Sequence, residues 1–282
     1  MSVNATSTDV LGARWRWERS SSRVQRIRLK PTDVAAMRLS GDEGVGLYEP
    51  PDVRPGSFAR IDEELLNRLR VLKDVSATAS DVLDELGWRL SVSVDDLPCR
   101  VAPNTTVVGQ AVTLAYLPDR RTLAGVGIAG EPPKLAHHVI YRFAKPGDVM
   151  VIDGRGLGAI SVLGGRAASA GVTSGLAAAI VDAGVRDLDT LEQLGFPIWA
   201  RHVTPVTGKA RAEAVSVNRP VCCGGVQVVP GDLVVADRTG ICFVPLELVA
   251  EVVSRIIDVT AFETKELSKV TKARSNRRRI PS

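Results

Sequence analysis

The segment GGRAASAGVTSGLAAAIVDAGVRD, residues 164–187, carries the pattern that decides the fold class. The small residues up to position 174 continue a run that begins at position 160 and predict a helix, and the apolar run GLAAAIVDA predicts a buried strand. Another strand pattern, DVMVID, precedes them at 148–153. A strand, a helix and a second strand in this order form the repeating unit of a parallel sheet covered by helices. We therefore predict an α/β fold.

Further strand and helix patterns lie on both sides of this unit. Leucines at 65, 66, 69 and 72 recur at helical spacing, and a second helix is expected over 79–86, capped by Ser76 or Thr78 and closed by Gly87. KPGDVMVID and VPGDLVVAD resemble each other, and we interpret them as two similar strand entries rather than two active halves. Strands are also predicted at 106–117, 196–203, 212–218, 221–229, 232–237 and 240–245, and helices at 133–144, 188–195 and 246–270.

Charge separates the two ends of the chain from its middle. Residues 1–40 carry eight basic and three acidic side chains, and residues 265–282 carry seven basic and one acidic, so the part between them is acidic although the formal net charge is +4. We divide the chain into a basic, turn-rich N-terminal extension (1–58), an α/β catalytic domain (59–262), and a basic helix end and tail (263–282). Solvated termini explain this charge pattern, so we expect no nucleic-acid partner.

Cysteine usage and hydropathy narrow the class of protein further. The four cysteines show no CxxC or Cys/His spacing, which indicates reduced thiols. Charges, glycines or prolines interrupt each apolar run before it reaches membrane-spanning length, and the N-terminus has no apolar signal region. We expect a cytoplasmic protein with no membrane partner.

A glycine-rich turn raises the alternative of a dinucleotide site. Gly154-x-Gly156-x-x-Ala159 follows a strand, and Asp182 comes at the distance of a ribose-binding acid. The motif lies in mid-chain, however, and the β-rich segment after it does not continue the alternation of a doubly wound fold. A nicotinamide or flavin site is therefore disfavoured.

A second constellation suggests a different chemistry. Gly164 and Gly165 leave backbone N–H groups open to an anion, and Arg186 with Asp187 follows the next strand. Alone, that pair would be a surface ion pair or a helix cap. Loops at the carboxyl ends of neighbouring parallel strands share one crevice, so the two pairs are expected to meet. Amides and a guanidinium suit a carboxylate or an enolate oxygen, and a carboxylate suits a divalent cation.

Taken with SATASDVLDELG, VVGQAVTL, KPGDVMVIDG, GFPIWAR and GGVQVVPGDLVVADRTGICFVP, the block 164–187 resembles the RraA-like family over roughly residues 65–250. That family includes 4-hydroxy-4-methyl-2-oxoglutarate / 4-carboxy-4-hydroxy-2-oxoadipate aldolases with oxaloacetate decarboxylase activity, the regulator of ribonuclease E activity, and members misnamed demethylmenaquinone methyltransferases. The resemblance implies a layered swivelling β/β/α-type domain assembled as homotrimers or stacked homohexamers, with sites at subunit interfaces.

The resemblance also implies residue roles. Arg186 would hold the pyruvate portion and stabilise the enolate, and Asp187 would anchor Mg²⁺, Mn²⁺ or another divalent cation, largely through water. A glutamate of a neighbouring subunit, here Glu266 or less readily Glu263, would complete the site. The substrate carboxylate would bind at the glycine turn, formed here by Gly164, Gly165, Arg166 and Ala167.

Two comparisons within the family shape the functional expectation. The ribonuclease regulators resemble this block without the aspartate, so the intact Arg186–Asp187 pair favours an enzyme, a class II pyruvate aldolase or decarboxylase acting on a 4-hydroxy-2-oxo acid or on oxaloacetate. The aldolases often have an acidic residue where this chain has Gly165, which leaves decarboxylation the less demanding reaction. The alternative is a non-catalytic regulatory protein that binds a ribonuclease or RNA. A methyltransferase is rejected, and the three histidines are interpreted as structural.

Overall fold

A computed structural model describes residues 48–121 and 133–277 together with three N-terminal strands, and the chain divides into two compact units, Met1–Leu47 and Tyr48–Ser282. In the first unit, β1 (Ala5–Thr8), β2 (Arg14–Ser20) and β3 (Arg23–Arg28) form an antiparallel sheet with β2 in the centre. We expected no regular elements there. The alternation of apolar and polar residues in β2 is a strand pattern that short length and high charge conceal.

The second unit begins before the expected position 59. β4 (Asp52–Val53) pairs with a strand of the main sheet through Ser216 and Val217. The Tyr48 hydroxyl donates to the backbone carbonyl of Ala214 at 3.0 Å. Residues 48–58 thus belong to the α/β body, whereas the predicted linker up to position 47 and the tail from 278 lie outside the described residues.

The body alternates strands with helices as predicted. Its helices are α1 (Glu63–Arg70), α2 (Val75–Glu85), α3 (His137–Phe143), α4 (Gly165–Thr173), α5 (Leu188–Leu194) and α6 (Val249–Arg277). Its strands after β4 are β5 (Ser91–Ser93), β6 (Cys99–Val101), β7 (Val107–Pro118), β8 (Val149–Asp153), β9 (Ser161–Leu163), β10 (Ala178–Val185), β11 (Ile198–Val203), β12 (Ala212–Val217), β13 (Val221–Cys223), β14 (Val226–Val228), β15 (Leu233–Ala236) and β16 (Gly240–Val244).

One sheet connects most of these strands in the order β5-β16-β15-β7-β8-β10-β11-β6. β7, β8, β10 and β11 run parallel to one another, and β9 joins them as a short parallel partner of β10. The long strand β7 also pairs antiparallel with β15 through its first half and with β12 through its second half. This double use of β7 curls the sheet, in the layered α/β architecture that the sequence predicted.

Helices and the curled sheet enclose three apolar clusters. Ala168 of α4 and Leu191 of α5 are buried in one of them, on the β10 face that carries Val181 and Val185. The other face of β10 contributes Ile180 to a second cluster, and α1, α2 and α6 cover the far end of the sheet in a third. β10 is buried along its whole length, as expected for a central parallel strand.

Several helix predictions were wrong in their bounds: α3 starts at His137 and not at 133, and α6 runs from Val249 to Arg277 and not from 246 to 270. The segment from position 160 does not form one helix, because Ser161–Leu163 pairs with Gly184 and Val185 as β9 before α4 starts at Gly165. α2 begins at Val75 after Asp74, and neither Ser76 nor Thr78 caps it, since both lie inside the helix. The Ser76 hydroxyl donates instead to the Asp237 carboxylate at 2.7 Å.

The two Pro-Gly-Asp turns have the same local structure. The Lys145 N–H donates to Asp148, and the Val229 N–H donates to Asp232, each at 2.8 Å. Asp148 also pairs with Arg60, whereas burial raises the pKa of Asp232 to about 6. The repeat is therefore one of strand entry, as the sequence suggested. Among the described helices, none combines the length and apolar character needed to cross a membrane.

Candidate functional site at the carboxyl ends of the parallel strands

The candidate residues lie where two parallel strands end. β9 ends at Leu163 and leads into Gly164, and β10 ends at Val185 and leads into Arg186. The Arg186 N–H donates to the Leu163 carbonyl at 3.0 Å, and this bond fixes the two loops side by side. Since β9 and β10 are parallel, the glycine turn and the Arg-Asp pair open on the same edge of the sheet, as predicted.

A hydrogen bond joins the glycine turn to the Arg-Asp pair. Asp187 Oδ2 accepts from the Gly165 N–H at 2.9 Å. Gly164 is required by space rather than by its backbone angles, because a Cβ there would lie 2.7 Å from Asp187 Oδ2 and 3.0 Å from Arg186 Cγ. The carboxylate thus occupies the position that a side chain at 164 would take.

The backbone of Asp187 is itself unusual. Its φ of 63° places it in the left-handed region, at the N-cap of α5, with no side-chain hydrogen bond to that helix. Aspartate tolerates this region better than most residues, and such conformations are frequent at functional sites. The conformation turns the carboxylate away from its own helix and towards the start of α4. Asp187 therefore does not cap its helix through its side chain, the alternative for the pair taken alone, and makes a bond across the site instead.

Arg186 places a cation at the same edge. Its Nε lies 3.7 Å from Asp187 Oδ2, and its side chain is 38% exposed, against 44% for that of Asp187. This is an ion pair at the outer limit of contact, so the guanidinium remains available to an anionic ligand. The site thus combines a half-exposed cation and a half-exposed carboxylate next to a helix N-terminus.

The first turn of α4 offers backbone donors, though not all of those predicted. The Gly165 N–H is used by Asp187, and the Ala168 N–H donates to the Gly164 carbonyl at 3.0 Å. The N–H groups of Arg166 and Ala167, the second and third residues of α4, are without an intrahelical acceptor by their position. They remain as anion donors, and the exposed Arg166 adds a second cation nearby.

Glu266 stands apart from this group. It lies on α6 and accepts a hydrogen bond from Lys269 Nζ at 2.6 Å. Within the part of the chain that the structure describes, no hydrogen bond or ion pair joins it to the glycine turn or to Arg186 and Asp187. Its role as a residue supplied to the site by a neighbouring subunit stays a prediction.

The donor set fits a largely hydrated divalent cation. Within the described residues, no group of three or more His, Cys, Asp or Glu side chains could enclose a metal ion. Asp187 offers one half-exposed carboxylate, with Oδ2 engaged by Gly165. Mg²⁺ keeps several waters and is often held by one or two carboxylates plus the substrate. The site therefore suits a cation held by Asp187, water and a substrate oxygen.

The dinucleotide alternative does not fit the structure. Gly154 and Ala159 enclose a 3₁₀ turn, Arg155–Leu157, and are followed by β9 instead of by a helix. Asp182 is fully buried, with Oδ1 accepting from Arg201 Nε and Oδ2 accepting from the Gly224 N–H at 2.7 Å. Its carboxylate is thus committed to the protein and does not face a ribose site.

Structural roles also account for the neighbouring carboxylates and for His137. Asp153 Oδ2 accepts from the Cys222 N–H at 3.0 Å, and Asp237 accepts from Ser76. His137 is buried, and this burial lowers its pKa to about 4. These hydrogen bonds hold the hairpin of β13 and β14 and the start of α2 in place, and His137 is a buried residue at the start of α3.

Sequence reasoning missed Thr190. A Cβ at Gly165 would lie 2.8 Å from Thr190 Cγ2, so this methyl group packs where a side chain at 165 would begin. Thr190 is the third residue of α5, one turn after Asp187. That spacing is the signal that could have identified it, because residues three apart share one face of a helix.

A family model described as RraA-like, Aldolase/RraA, matches residues 76–243. The chain belongs to the RraA-like family. The match includes every residue of the glycine turn and the Arg-Asp pair, and leaves out the N-terminal sheet and all of α6. The family recognised from the motifs is confirmed.

Relatives of this RraA-like chain include proteins with different descriptions. A Halalkalibacterium halodurans protein named "Putative 4-hydroxy-4-methyl-2-oxoglutarate aldolase" is 37% identical over 102 residues, covering 36% of this chain and 48% of that protein. Legionella pneumophila protein DlpA is 26% identical over 192 residues, covering 67% of this chain and 29% of DlpA. The chain thus spans less than two thirds of the length of these curated relatives.

Solved structures show the same architecture. An uncharacterized protein from Pseudomonas syringae pv. tomato superposes with a TM-score of 0.63 at 26% identity, covering 76% of this chain and 96% of that one. Streptomyces coelicolor RraAS2, described as an unusual member of the RNase ES inhibitor RraA protein family, superposes with a TM-score of 0.59 at 29% identity, covering 77% and 99%. The fold of this RraA-like chain is therefore shared both with a member described as an inhibitor and with an uncharacterized protein.

Proposed function

We propose that this RraA-like chain is a lyase that uses a divalent cation, Mg²⁺ or Mn²⁺, to release pyruvate from oxaloacetate or from a 4-hydroxy-2-oxo acid. One observation carries the proposal, namely the convergence of Arg186, Asp187 and the first turn of α4 on one edge of the sheet. The name of the Halalkalibacterium halodurans relative supports it.

Both substrates generate the same anion. In oxaloacetate the bond between C3 and C4 breaks, CO₂ leaves, and the bonding electron pair forms the enolate of pyruvate, which a proton from solvent converts to pyruvate. In a 4-hydroxy-2-oxo acid the bond between C3 and C4 also breaks, and the proton of the C4 hydroxyl must be removed as the new carbonyl forms. Stabilising negative charge on the enolate oxygen is the shared requirement.

The residues of the chain have distinct tasks in this reaction. The N–H groups of Arg166 and Ala167 would bind the substrate carboxylate at the positive end of α4. The Arg186 guanidinium would face the enolate oxygen. Asp187 would hold the cation, which when bound supplies further positive charge to polarise the oxo group. Because this edge of the sheet is half-exposed in a single chain, a bound substrate would have to displace water there. Further pocket walls are needed to keep that water out, and they would come from a neighbouring subunit.

The contacts of the turn favour decarboxylation over aldol cleavage. The side chain that packs at Gly165 is Thr190, which is neither a base nor an acid at neutral pH, and the Asp187 carboxylate is bonded to Gly165. Aldol cleavage needs a group or a positioned water to take the hydroxyl proton, and decarboxylation does not. We expect oxaloacetate to be turned over faster than a 4-hydroxy-2-oxo acid.

The test is pyruvate release, coupled to lactate dehydrogenase, with oxaloacetate and a panel of 4-hydroxy-2-oxo acids. Activity should require added Mg²⁺ or Mn²⁺ and stop with EDTA. Arg186→Ala should lower kcat/KM by roughly 10²–10³-fold, the scale of losing one oxyanion donor. Because spontaneous decarboxylation of oxaloacetate depends on the metal, each rate is compared with that of metal without protein.

A pair of matched variants tests whether Asp187 is the residue that holds the cation. Asp187→Ala should abolish the cation-dependent activity, whereas Asp189→Ala, two residues further along the exposed start of α5, should retain it. Equal activity of the Asp187→Ala variant and the unmodified chain would show that the cation is held elsewhere or is not needed. Absence of turnover across the panel, together with recovery of a ribonuclease by the folded chain, would favour the second candidate, an inhibitor like the RNase ES inhibitor family of RraAS2.

A further inference from the structure

The N-terminal sheet lies outside the region that matches the family, and the proposed lyase site does not use it. Its strands β2 and β3, RWRWERS and RVQRIR, contain six arginines and one glutamate. A cation excess on two short strands attracts polyanions. The linear sequence alone did not favour a nucleic-acid partner, because it does not show which of these residues share a face.

The register sorts the residues into two faces. Residues opposite each other in an antiparallel pair share a face, and successive residues of a strand alternate between faces. In β2 and β3 the pairs are Trp15 with Arg28, Trp17 with Arg26, and Arg19 with Val24, and β1 adds Ser7 opposite Trp15 and Ala5 opposite Trp17. We call this set the tryptophan face: Ala5, Ser7, Trp15, Trp17, Arg19, Val24, Arg26 and Arg28.

The opposite face has the same number of arginines but a different character. Arg14, Arg16 and Arg23 lie there, together with Glu18, the single acidic residue of the three strands. On the tryptophan face, both tryptophans belong to the central strand β2. This face carries three arginines and no acidic residue of the three strands. The two faces thus have equal numbers of arginines and differ in aromatic content.

We propose that the tryptophan face binds single-stranded nucleic acid. Proteins that bind single strands without sequence preference combine a positively charged surface, which follows the phosphates, with aromatic residues on which bases stack. In RNA-recognition domains of the four-stranded type, aromatic residues on an open sheet have this function. Here Trp15 and Trp17 occupy the central strand, and Arg26 and Arg28 lie opposite them on the edge strand β3.

The combination of residues favours a single strand over other anionic partners. In a duplex the bases are stacked and paired, so a flat sheet reaches phosphates and leaves tryptophans without bases to stack on. An acidic protein segment would match the arginines and not the two tryptophans. Single-stranded RNA and single-stranded DNA share the chemistry that the face matches, namely phosphates and exposed bases.

The experiment measures binding of the full-length chain to fluorescein-labelled oligonucleotides by anisotropy. The probes are a 12-mer of uridine, a 12-mer of thymidine and a 12-base-pair RNA duplex, at 50 and 200 mM NaCl. Both single strands should bind, more tightly than the duplex, and affinity should fall at the higher salt. The ratio of the affinities for the uridine and thymidine probes shows whether the face prefers single-stranded RNA or single-stranded DNA.

Variants separate stacking from charge. Trp15→Ala/Trp17→Ala should weaken binding roughly tenfold or more, the scale of losing one stacked base, while Trp15→Phe/Trp17→Phe should preserve most of it. Arg26→Ala/Arg28→Ala should weaken binding and reduce the slope of log affinity against log salt by about 1.4, the value for two phosphate contacts on a single strand. Arg14→Ala/Arg16→Ala, which removes the same charge from the opposite face, is the matched control and should weaken binding less.

Several results would overturn the proposal. These are no binding to either single strand at 50 mM salt, binding to the duplex that equals binding to single strands, or equal losses from the two arginine pairs with none from the tryptophan pair. A fourth is thermal unfolding of the α/β body at a lower temperature in Trp15→Ala/Trp17→Ala with unchanged binding, since the face would then pack against its own chain. Pyruvate release by the same variants is measured in parallel and should be unchanged.

Discussion

Replacing Gly164 by alanine tests whether the glycine turn and the Arg-Asp pair form one site. The added methyl group would lie 2.7 Å from Asp187 Oδ2, 3.0 Å from Arg186 Cγ and 3.1 Å from Arg186 Nε. Optimal separations between non-bonded heavy atoms are about 3.5–4.0 Å, so the carboxylate, the arginine or the start of α4 must move by roughly 0.5–1 Å. All three groups belong to the proposed site, so any of these movements changes its geometry.

The two effects of this substitution differ in size. Breaking the hydrogen bond from the Gly165 N–H to Asp187 removes a charge-assisted interaction of about 1.5–3 kcal/mol in a protein interior, and since the Asp187 side chain is 44% exposed, about 1 kcal/mol is expected here. A domain of this size loses about 2–4 °C in Tm for each kcal/mol. Catalysis is more sensitive, because a misplacement of about 1 Å lowers a rate by roughly 10²-fold. We expect a modest change in Tm and a large loss of kcat/KM.

Thermal unfolding and coupled pyruvate release, measured on the same preparation, provide the two readings. Gly156→Ala is the matched control, because it changes a glycine in the loop after the neighbouring strand β8, where a methyl group would lie 3.6 Å from Pro118 Cδ in ordinary contact. This variant should match the unmodified chain in both readings. If Gly164→Ala keeps activity within about twofold, or if its activity falls only in proportion to unfolded protein, the turn and the pair do not act together.

Three further predictions test the site and its support. Asp187→Asn keeps an oxygen to accept from the Gly165 N–H and tolerates the left-handed backbone, so urea unfolding should change by less than about 0.5 kcal/mol while cation-dependent pyruvate release is lost. Asp182→Ala leaves the Gly224 N–H unpaired and should cost about 2–3 kcal/mol in urea unfolding, less than the ~3–5 kcal/mol of a fully buried pair because Arg201 can turn to solvent. Burial lowers the pKa of His137 to about 4, so below pH 6.5 the unfolded chain binds this proton more readily than the folded chain does. The free energy of unfolding should therefore be highest above pH 6.5, as far as His137 is concerned, and should decrease as the pH falls towards 4. The loss is at most about 3 kcal/mol, and His137→Gln should flatten this part of the curve of urea midpoint against pH.

The sequence predicted the parallel unit and the edge at which its residues meet because these depend on local patterns. The apolar run of β10 and the glycines before it determine strand, helix and connection, and parallel strands bring their carboxyl ends together. The short strand β9 was missed because its three residues form a strand only through pairing with β10. The N-terminal strands were missed for the same reason, since Arg-Trp alternation over a few residues is weak until β2 has partners on both sides.

Finer features of the site depend on contacts that no pattern in the sequence records. The resemblance identified Arg186 and Asp187, but not that Asp187 accepts from the Gly165 N–H, which removes that amide from the donors expected to bind a carboxylate. Its left-handed backbone also has no signal in the sequence, because aspartate adopts it only when the surrounding loops require it. Such features depend on the packing of two loops that are distant along the chain.

Gly165 shows how such packing bears on chemistry. From the sequence, its lack of a side chain looked like the loss of an acidic group that aldolases of the family often have at this position. In the structure, the space next to its Cα is filled by the Thr190 methyl group, with a Cβ-to-Cγ2 distance of only 2.8 Å if a side chain were added. An acid at 165 would therefore require a change at 190 as well, so the two positions form one unit. A site in which this unit supplies no proton acceptor is better matched to a reaction that forms the enolate by losing CO₂ than to one that must first deprotonate a hydroxyl.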